Sequence, residues 1–225
     1  MTIISIANPK GGVGKTTTSL GLSAALNADI VIEKDLDNEL SELNIIRESY
    51  GYAPIPVASP KTANELGKLI ERGWNGELVI IDCGGFDSDL VRISIAASDA
   101  VIVPSSDCSI ELRKLLKADQ MFSEIRHNTN SQFKVFLLKA KISHNTTDFS
   151  IFEEIANTSE NFELLESRLT YLKQDHNKAM LRGLSVVEDK RTRGSKAARE
   201  IKAVANEIKN KLALNQCYTN VIVML

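Results

Sequence analysis

Thr2-Ile3-Ile4-Ser5-Ile6-Ala7 and Lys10-Gly11-Gly12-Val13-Gly14-Lys15-Thr16 stand almost back to back, and the chain then runs to about Leu26 with helical periodicity. The first run is an apolar strand that begins at once, and the second is a glycine-rich turn that opens a helix at Lys15. Glycines in such a turn reach backbone angles closed to other residues. Consecutive N–H groups can therefore face inward at the positive end of the helix, which is how a backbone holds an anion. Lys15 adds a cation and Thr16 a hydroxyl at that same point.

The spacing fits the general phosphate-loop pattern G-x-x-x-x-G-K-[ST], except that its first glycine is missing and a lysine, Lys10, precedes the glycine pair. In this reading Lys15 reaches the β- and γ-phosphates of a nucleotide and Thr16 ligates Mg²⁺, with Lys10, Gly11, Gly12, Val13, Gly14, Lys15, Thr16 and Thr17 as the nucleotide-binding set.

Outward from this loop, strands and helical segments alternate. Ile30-Val31-Ile32 is a strand leading into the acidic run Glu33-Lys34-Asp35-Leu36-Asp37-Asn38-Glu39. Thr62 to Glu65 is a capping box opening a helix to about Arg72. Leu78-Val79-Ile80-Ile81 is a strand ending at Asp82, and Ala100-Val101-Ile102-Val103 is another, expected to end at Pro104. Leu112, Leu115, Leu116, Met121, Phe122 and Ile125 repeat at helical spacing between Ser109 and Ile125. A strand is expected over Lys134 to Ala140, shorter elements over Phe149 to Ala156 and Leu164 to Leu169, and a closing helix over Lys196 to Leu214. The alternation predicts an α/β fold, a doubly wound, mostly parallel sheet of the P-loop NTPase kind.

Composition sets limits. At 225 residues with no Pro/Gly/Ser-rich linker, the chain is expected to be one ATPase domain over 1–225. With 5% aromatic residues, its core is expected to rest on aliphatic side chains, as in a parallel sheet buried on both faces. No secretory leader and no bilayer-length apolar run is read in it. Cys83, Cys108 and Cys217 lack ligand spacing, which argues against a disulfide framework or a zinc site. His127, His144 and His176 read as surface residues.

Asp82 closes a run of four apolar residues, the form of a Walker B strand, and would hold Mg²⁺ through a water, since this ion keeps much of its hydration shell. Gly84-Gly85 then leaves backbone free to approach a γ-phosphate. Asp35 and Asp37, two residues apart at a strand end, suit either chemistry or a solvated acidic turn.

Lys10-Gly11-Gly12-Val13-Gly14-Lys15-Thr16-Thr17 resembles the deviant Walker A motif of the ParA/MinD family, closest to small ParA-type plasmid partition ATPases, and the likeness extends over most of the chain. The resemblance implies an ATPase that forms a homodimer around Mg-ATP, with Lys10 reaching the partner's nucleotide as an arginine finger does. Residues 35–39 look like the family's D-x-D-P-Q segment. By that likeness Asp37 positions the attacking water and Asp35 holds the Mg²⁺ shell or a switch loop, so the catalytic set is Lys10, Lys15, Asp35 and Asp37 and the metal set Thr16, Asp82 and Asp35. Asn38-Glu39 replaces Pro-Gln, and Glu33-Lys34 puts charge where the family's strand is apolar. Leu137 to Lys141 resembles the strand end beside the adenine pocket.

Charge is uneven. Residues 1–167 carry 15 Lys+Arg against 24 Asp+Glu, and residues 168–225 carry 12 against 5. Arg182 to Glu188 resembles the family's late G-x-S-V-x-E stretch, and in the basic region, about 168–211, Lys190, Arg191, Arg193, Lys196 and Arg199 are candidate contacts to the phosphates of non-specific DNA. The uncharged tail, 215–225, lacks the cations of a membrane-binding helix. The expected protein is a cytoplasmic, nucleoid-associated ATPase with a centromere-binding adaptor and no membrane partner. Other cargo, such as conjugative transfer machinery or MinD-like membrane positioning, and a metabolic ATP-dependent enzyme of the same fold are the alternatives.

Overall fold

The computed structural model describes residues 2–34, 39–84 and 88–222, the side chains of 109–113 and 213–222 excepted. The strands are β1 (Thr2–Ile6), β2 (Ile30–Glu33), β3 (Val57–Ala58), β4 (Leu78–Asp82), β5 (Ala100–Ser105), β6 (Lys134–Ile142) and β7 (Phe162–Thr170). They form one sheet in the order β3-β2-β4-β1-β5-β6-β7, and every described pairing is parallel. The helices are α1 (Lys15–Leu26), α2 (Glu39–Ser49), α3 (Ala63–Trp74), α4 (Asp89–Ala96), α5 (Ser109–Thr129), α6 (Ser150–Thr158), α7 (Lys173–Met180) and α8 (Lys196–Ile222).

Strand alternation sorts the core into two layers. Ile3, Val79, Ile81, Val101, Val103, Val135 and Leu137 point to the face covered by α3, α4, α5 and α6. Ile4, Ile6, Ile80, Ile102, Phe136 and Leu138 point to the face covered by α1, α2, α7 and α8. Both faces are therefore apolar, and the aliphatic strands expected from composition supply them. A Cβ on Gly21 would lie 2.7 Å from Ile201 Cδ1, so α1 and α8 pack too closely there for a larger residue.

Two element ends and one side chain depart notably from expectation. β5 runs through Pro104 to Ser105. Pro104 sits in register with Leu138, and its carbonyl accepts from Asn8 Nδ2 at 2.7 Å, just past the end of β1. The N–H that proline lacks falls on that same side, where β1 has stopped, so no ladder bond is lost. The last helix continues beyond Leu214 to Ile222. Leu116, counted in the apolar stripe of α5, is 61% exposed, whereas Leu115, Met121, Phe122 and Ile125 are buried.

Candidate nucleotide-binding site

The loop leaves β1 at the carboxyl end of the central strand, where ligands of open parallel sheets bind. Asn8 pins its entry: Oδ1 accepts from the Lys10 N–H at 2.8 Å while Nδ2 holds Pro104. Gly12 (φ 77°) and Gly14 (φ 95°) take left-handed angles that a side chain would resist. Gly14 is the N-cap of α1, and its carbonyl accepts from the Thr18 N–H at 2.9 Å. Lys15 is buried and arches back so that Nζ donates to the Lys10 carbonyl at 3.1 Å. The result is a cleft of about 390 Å³ lined by residues 8–12, Gly14 to Thr17, Glu39 and Lys141. Every predicted loop residue except Val13 lines it. Val13 is buried and lines an adjoining cavity of about 220 Å³ instead, shared with Thr17, Ala140, Tyr171, Leu172, His176 and Met180 among others.

The strand end singled out near Lys141 therefore does reach the second cavity, but through Ala140 and Lys141. Lys139 turns away: it is buried, donates to the Leu165 carbonyl at 2.7 Å, and burial lowers its pKa. His176 is not a plain surface residue. It is half-buried in the cavity wall, and burial lowers its pKa against the opposing pull of Asp175 and Glu200.

Asp82 ends β4 fully buried, in register with Ile6 on one side and Glu33 on the other. It does not line the cleft. The neighbouring Cys83 thiol is pushed up to about 12, first by burial and then by the Asp82 charge, which leaves it protonated and unreactive. Glu33, unexpected at a strand end, is buried because it caps α2: its carboxylate accepts from the Leu40 N–H and the Ser41 hydroxyl, each at 2.6 Å. An anion at a helix N-terminus satisfies donors that would otherwise be orphaned. Asp35 and Asp37, the other predicted acids, lie outside the described residues, as does Gly85. Glu39 at the start of α2 and Lys141 are cleft residues that sequence reasoning did not assign.

In the basic region, Lys190, Arg191, Arg193, Lys196 and Arg199 are all exposed, in the turns before α8 and its first turn. They are not equally available. Arg191 Nε donates to both carboxylate oxygens of buried Asp189 at 3.0 Å, and its Nη2 also reaches the Lys178 carbonyl. Arg199 donates to the Gly194 carbonyl at 2.7 Å, and Lys196 lies 3.7 Å from Glu200. The Gly183 to Glu188 stretch is a docking element. Arg47 of α2 donates to the Gly183 carbonyl at 3.0 Å and grips Glu188 bidentately at 3.2 and 2.9 Å.

A parallel doubly wound sheet with a glycine cradle at the end of its central strand defines a P-loop protein. The chain belongs to the CobQ/CobB/MinD/ParA nucleotide binding domain family, whose model matches residues 4–225. It is 31% identical over 107 residues to protein ParA of Rhizobium radiobacter, which covers 46% of this chain and 48% of that protein. It is 28% identical over 116 residues to the maintenance of carboxysome distribution protein A of Gloeobacter kilaueensis, covering 51% and 54%. The matches thus span about half the length of these curated relatives. The fold is that of a Borrelia burgdorferi B31 plasmid partition protein bound to AMPPNP (TM-score 0.67, 18% identity, 93% of this chain and 99% of that one). It is equally that of the septum site-determining protein MinD of Pyrococcus horikoshii complexed with Mg-ADP (TM-score 0.66, 16% identity, 92% and 95%).

Among the described residues no helix is long and apolar enough to cross a membrane.

Proposed function

We propose that this chain is a ParA-type ATPase that dimerises around Mg-ATP, binds DNA without sequence preference and hydrolyses ATP to segregate or position its cargo. The observation that carries the reading is the cleft itself, a backbone cradle with two lysines, Lys10 and Lys15, opening into a cavity large enough for a base. In this reading Lys15 meets the phosphates of its own subunit and Lys10 those of the partner. The Thr16 hydroxyl and, through water, the buried Asp82 carboxylate suit a hard cation that keeps its hydration shell. Mg²⁺ held there would neutralise charge on the nucleotide's phosphates. Asp37 orients the attacking water and Asp35 supports the metal shell. The exposed cations from Lys190 to Arg199 meet DNA phosphates, and a centromere-binding adaptor links the ATPase to its cargo in a cytoplasmic, nucleoid-associated protein. The carboxysome-distribution relative supports a second reading, in which the same cycle positions a protein assembly instead of a replicon.

The experiment is duplex DNA sedimentation with ATP or ADP over a salt series, with liposomes as the contrasting surface. Phosphate binding predicts a slope of about 0.9 log units of affinity per log unit of salt for each phosphate neutralised. It also predicts stronger binding with ATP, because a dimer presents two basic patches to one duplex. Arg191 is a poor choice for charge reversal, since a glutamate there would face buried Asp189. Lys190→Glu with Arg193→Glu should lower DNA affinity and leave ATP binding intact. Equal binding with ADP and ATP, or no response to the double reversal, removes the DNA reading.

A further inference from the structure

We propose that Lys141 is a positioning residue that straps the phosphate loop, fixing the direction of its backbone donors from the side of the base cavity. The inference rests on the nucleotide-binding reading of the cleft. Lys141 is the extra residue of a β-bulge: from Lys139 to Ile142 β6 advances three residues while β7 advances two, from Arg168 to Thr170. The faces record the slip. Phe136, Leu138 and Ala140 point to the α1/α8 layer, yet Ile142 points to the opposite one. Lys141 itself takes φ 54°, a left-handed angle rare outside glycine.

This backbone throws the side chain across the cleft. Nζ donates to the Gly12 carbonyl, the stem passes 3.7 Å from where a Gly14 Cβ would sit, and the ammonium lies 5.9 Å from the Tyr171 ring centroid. Gly12 C=O and Val13 N–H share one trans peptide plane and point in opposite directions. Holding the carbonyl toward Lys141 therefore turns the Val13 N–H to the other side, as one donor of the loop. Lys141 and Gly14 line both the cleft and the adjoining cavity, so the strap stands where a ligand carrying both a ring and phosphates would cross. Bulges beside sites serve to re-aim a side chain in this way.

The test uses the whole chain with Lys141→Met, which keeps the stem but not the donor, and Lys141→Arg, which keeps a donor. Amide hydrogen exchange is followed over residues 11–16 without nucleotide, and Mg-ADP affinity is measured by calorimetry. Lys141→Met should speed exchange in the loop and weaken Mg-ADP, each about three- to tenfold, the range for one hydrogen bond, while α8 exchanges as before. Lys141→Arg should recover part of both losses. Unchanged loop exchange in Lys141→Met overturns the strap, even if Mg-ADP affinity falls, because the lysine would then act on the nucleotide directly. Normal Mg-ADP affinity in that variant overturns the link to binding. Absence of Mg-ADP binding by the wild-type chain would instead reject the nucleotide reading, and the exchange result would still judge the strap.

Discussion

Lys10 and Lys15 look alike in sequence, but their surroundings separate them. Lys15 is buried with its ammonium under the loop, whereas Lys10 is half-buried and offers its backbone to Asn8 and Lys15. Lys15→Ala should cost about a hundredfold or more in ATP affinity, since charge-assisted bonds to phosphate are lost together with the support of the Lys10 carbonyl. Lys10→Ala should bind ATP within a fewfold of wild type but fail to dimerise with it. Calorimetry and sedimentation velocity check the pair, and normal ATP-driven dimerisation of Lys10→Ala would make Lys10 only a loop residue. The role of Asp37 follows the same logic: Asp37→Ala should bind ATP and accumulate the dimer because hydrolysis stalls.

At the scale of elements, α2 links two regions that sequence reading treated apart. Its first residue, Glu39, lines the phosphate cleft, and Arg47 in its last turn clamps the Gly183 to Glu188 stretch. Gly183 has φ 66°, and a Cβ there would lie 2.3 Å from the Leu43 carbonyl oxygen. Gly183→Ala should therefore cost about 2–3 kcal/mol through combined strain and overlap. Arg47→Met should cost a similar amount, about 2–3 kcal/mol, less than for a fully buried pair because Glu188 is partly exposed to solvent. Both act on one contact, so the double variant should lose less than the two costs added. Urea denaturation measures all three, and strictly additive losses would show that the clamp is not a unit.

Across the whole molecule, stability should fall on acidification earlier than its carboxylates alone would cause. Burial holds His176 below its ordinary pKa of 6.5, so the unfolded chain binds that proton more readily than the folded one. The contribution is complete above pH 6.5 and is lost as pH falls below it. Asp189, paired with Arg191, is also held below its ordinary value, as is Glu207, where burial pushes up but hydrogen bonds from Ser167 and the Glu166 N–H, with the Lys211 charge, together outweigh it. Those two act only nearer pH 4 and below. Between about pH 7.5 and 5.5 the melting temperature should drop, and His176→Gln should remove most of that drop. An unchanged drop in the variant would assign it to other groups.

The sequence by itself determined the central strand, the loop, α1 and the parallel α/β class, because these rest on short-range chemistry: aliphatic runs, glycines at fixed offsets and a lysine-threonine pair at a helix start. It also placed Thr62 as the cap of α3, where its hydroxyl accepts from the Glu65 N–H. It did not resolve β3, α2, α4 or α7; α2 and α7 are polar and bury little beyond Leu40 and Arg47 in one and Ala179 in the other, and β3 and α4 are too short for periodicity to mark. Only the tertiary structure decided what the charged residues do. Arg47 reaches the Gly183 carbonyl 136 residues away, Lys139 on β6 reaches the Leu165 carbonyl on β7, and Lys141 crosses 129 residues of sequence to reach Gly12. Such partners are set by how the strands lie beside one another, and a charge in a sequence carries no record of which distant backbone it will meet.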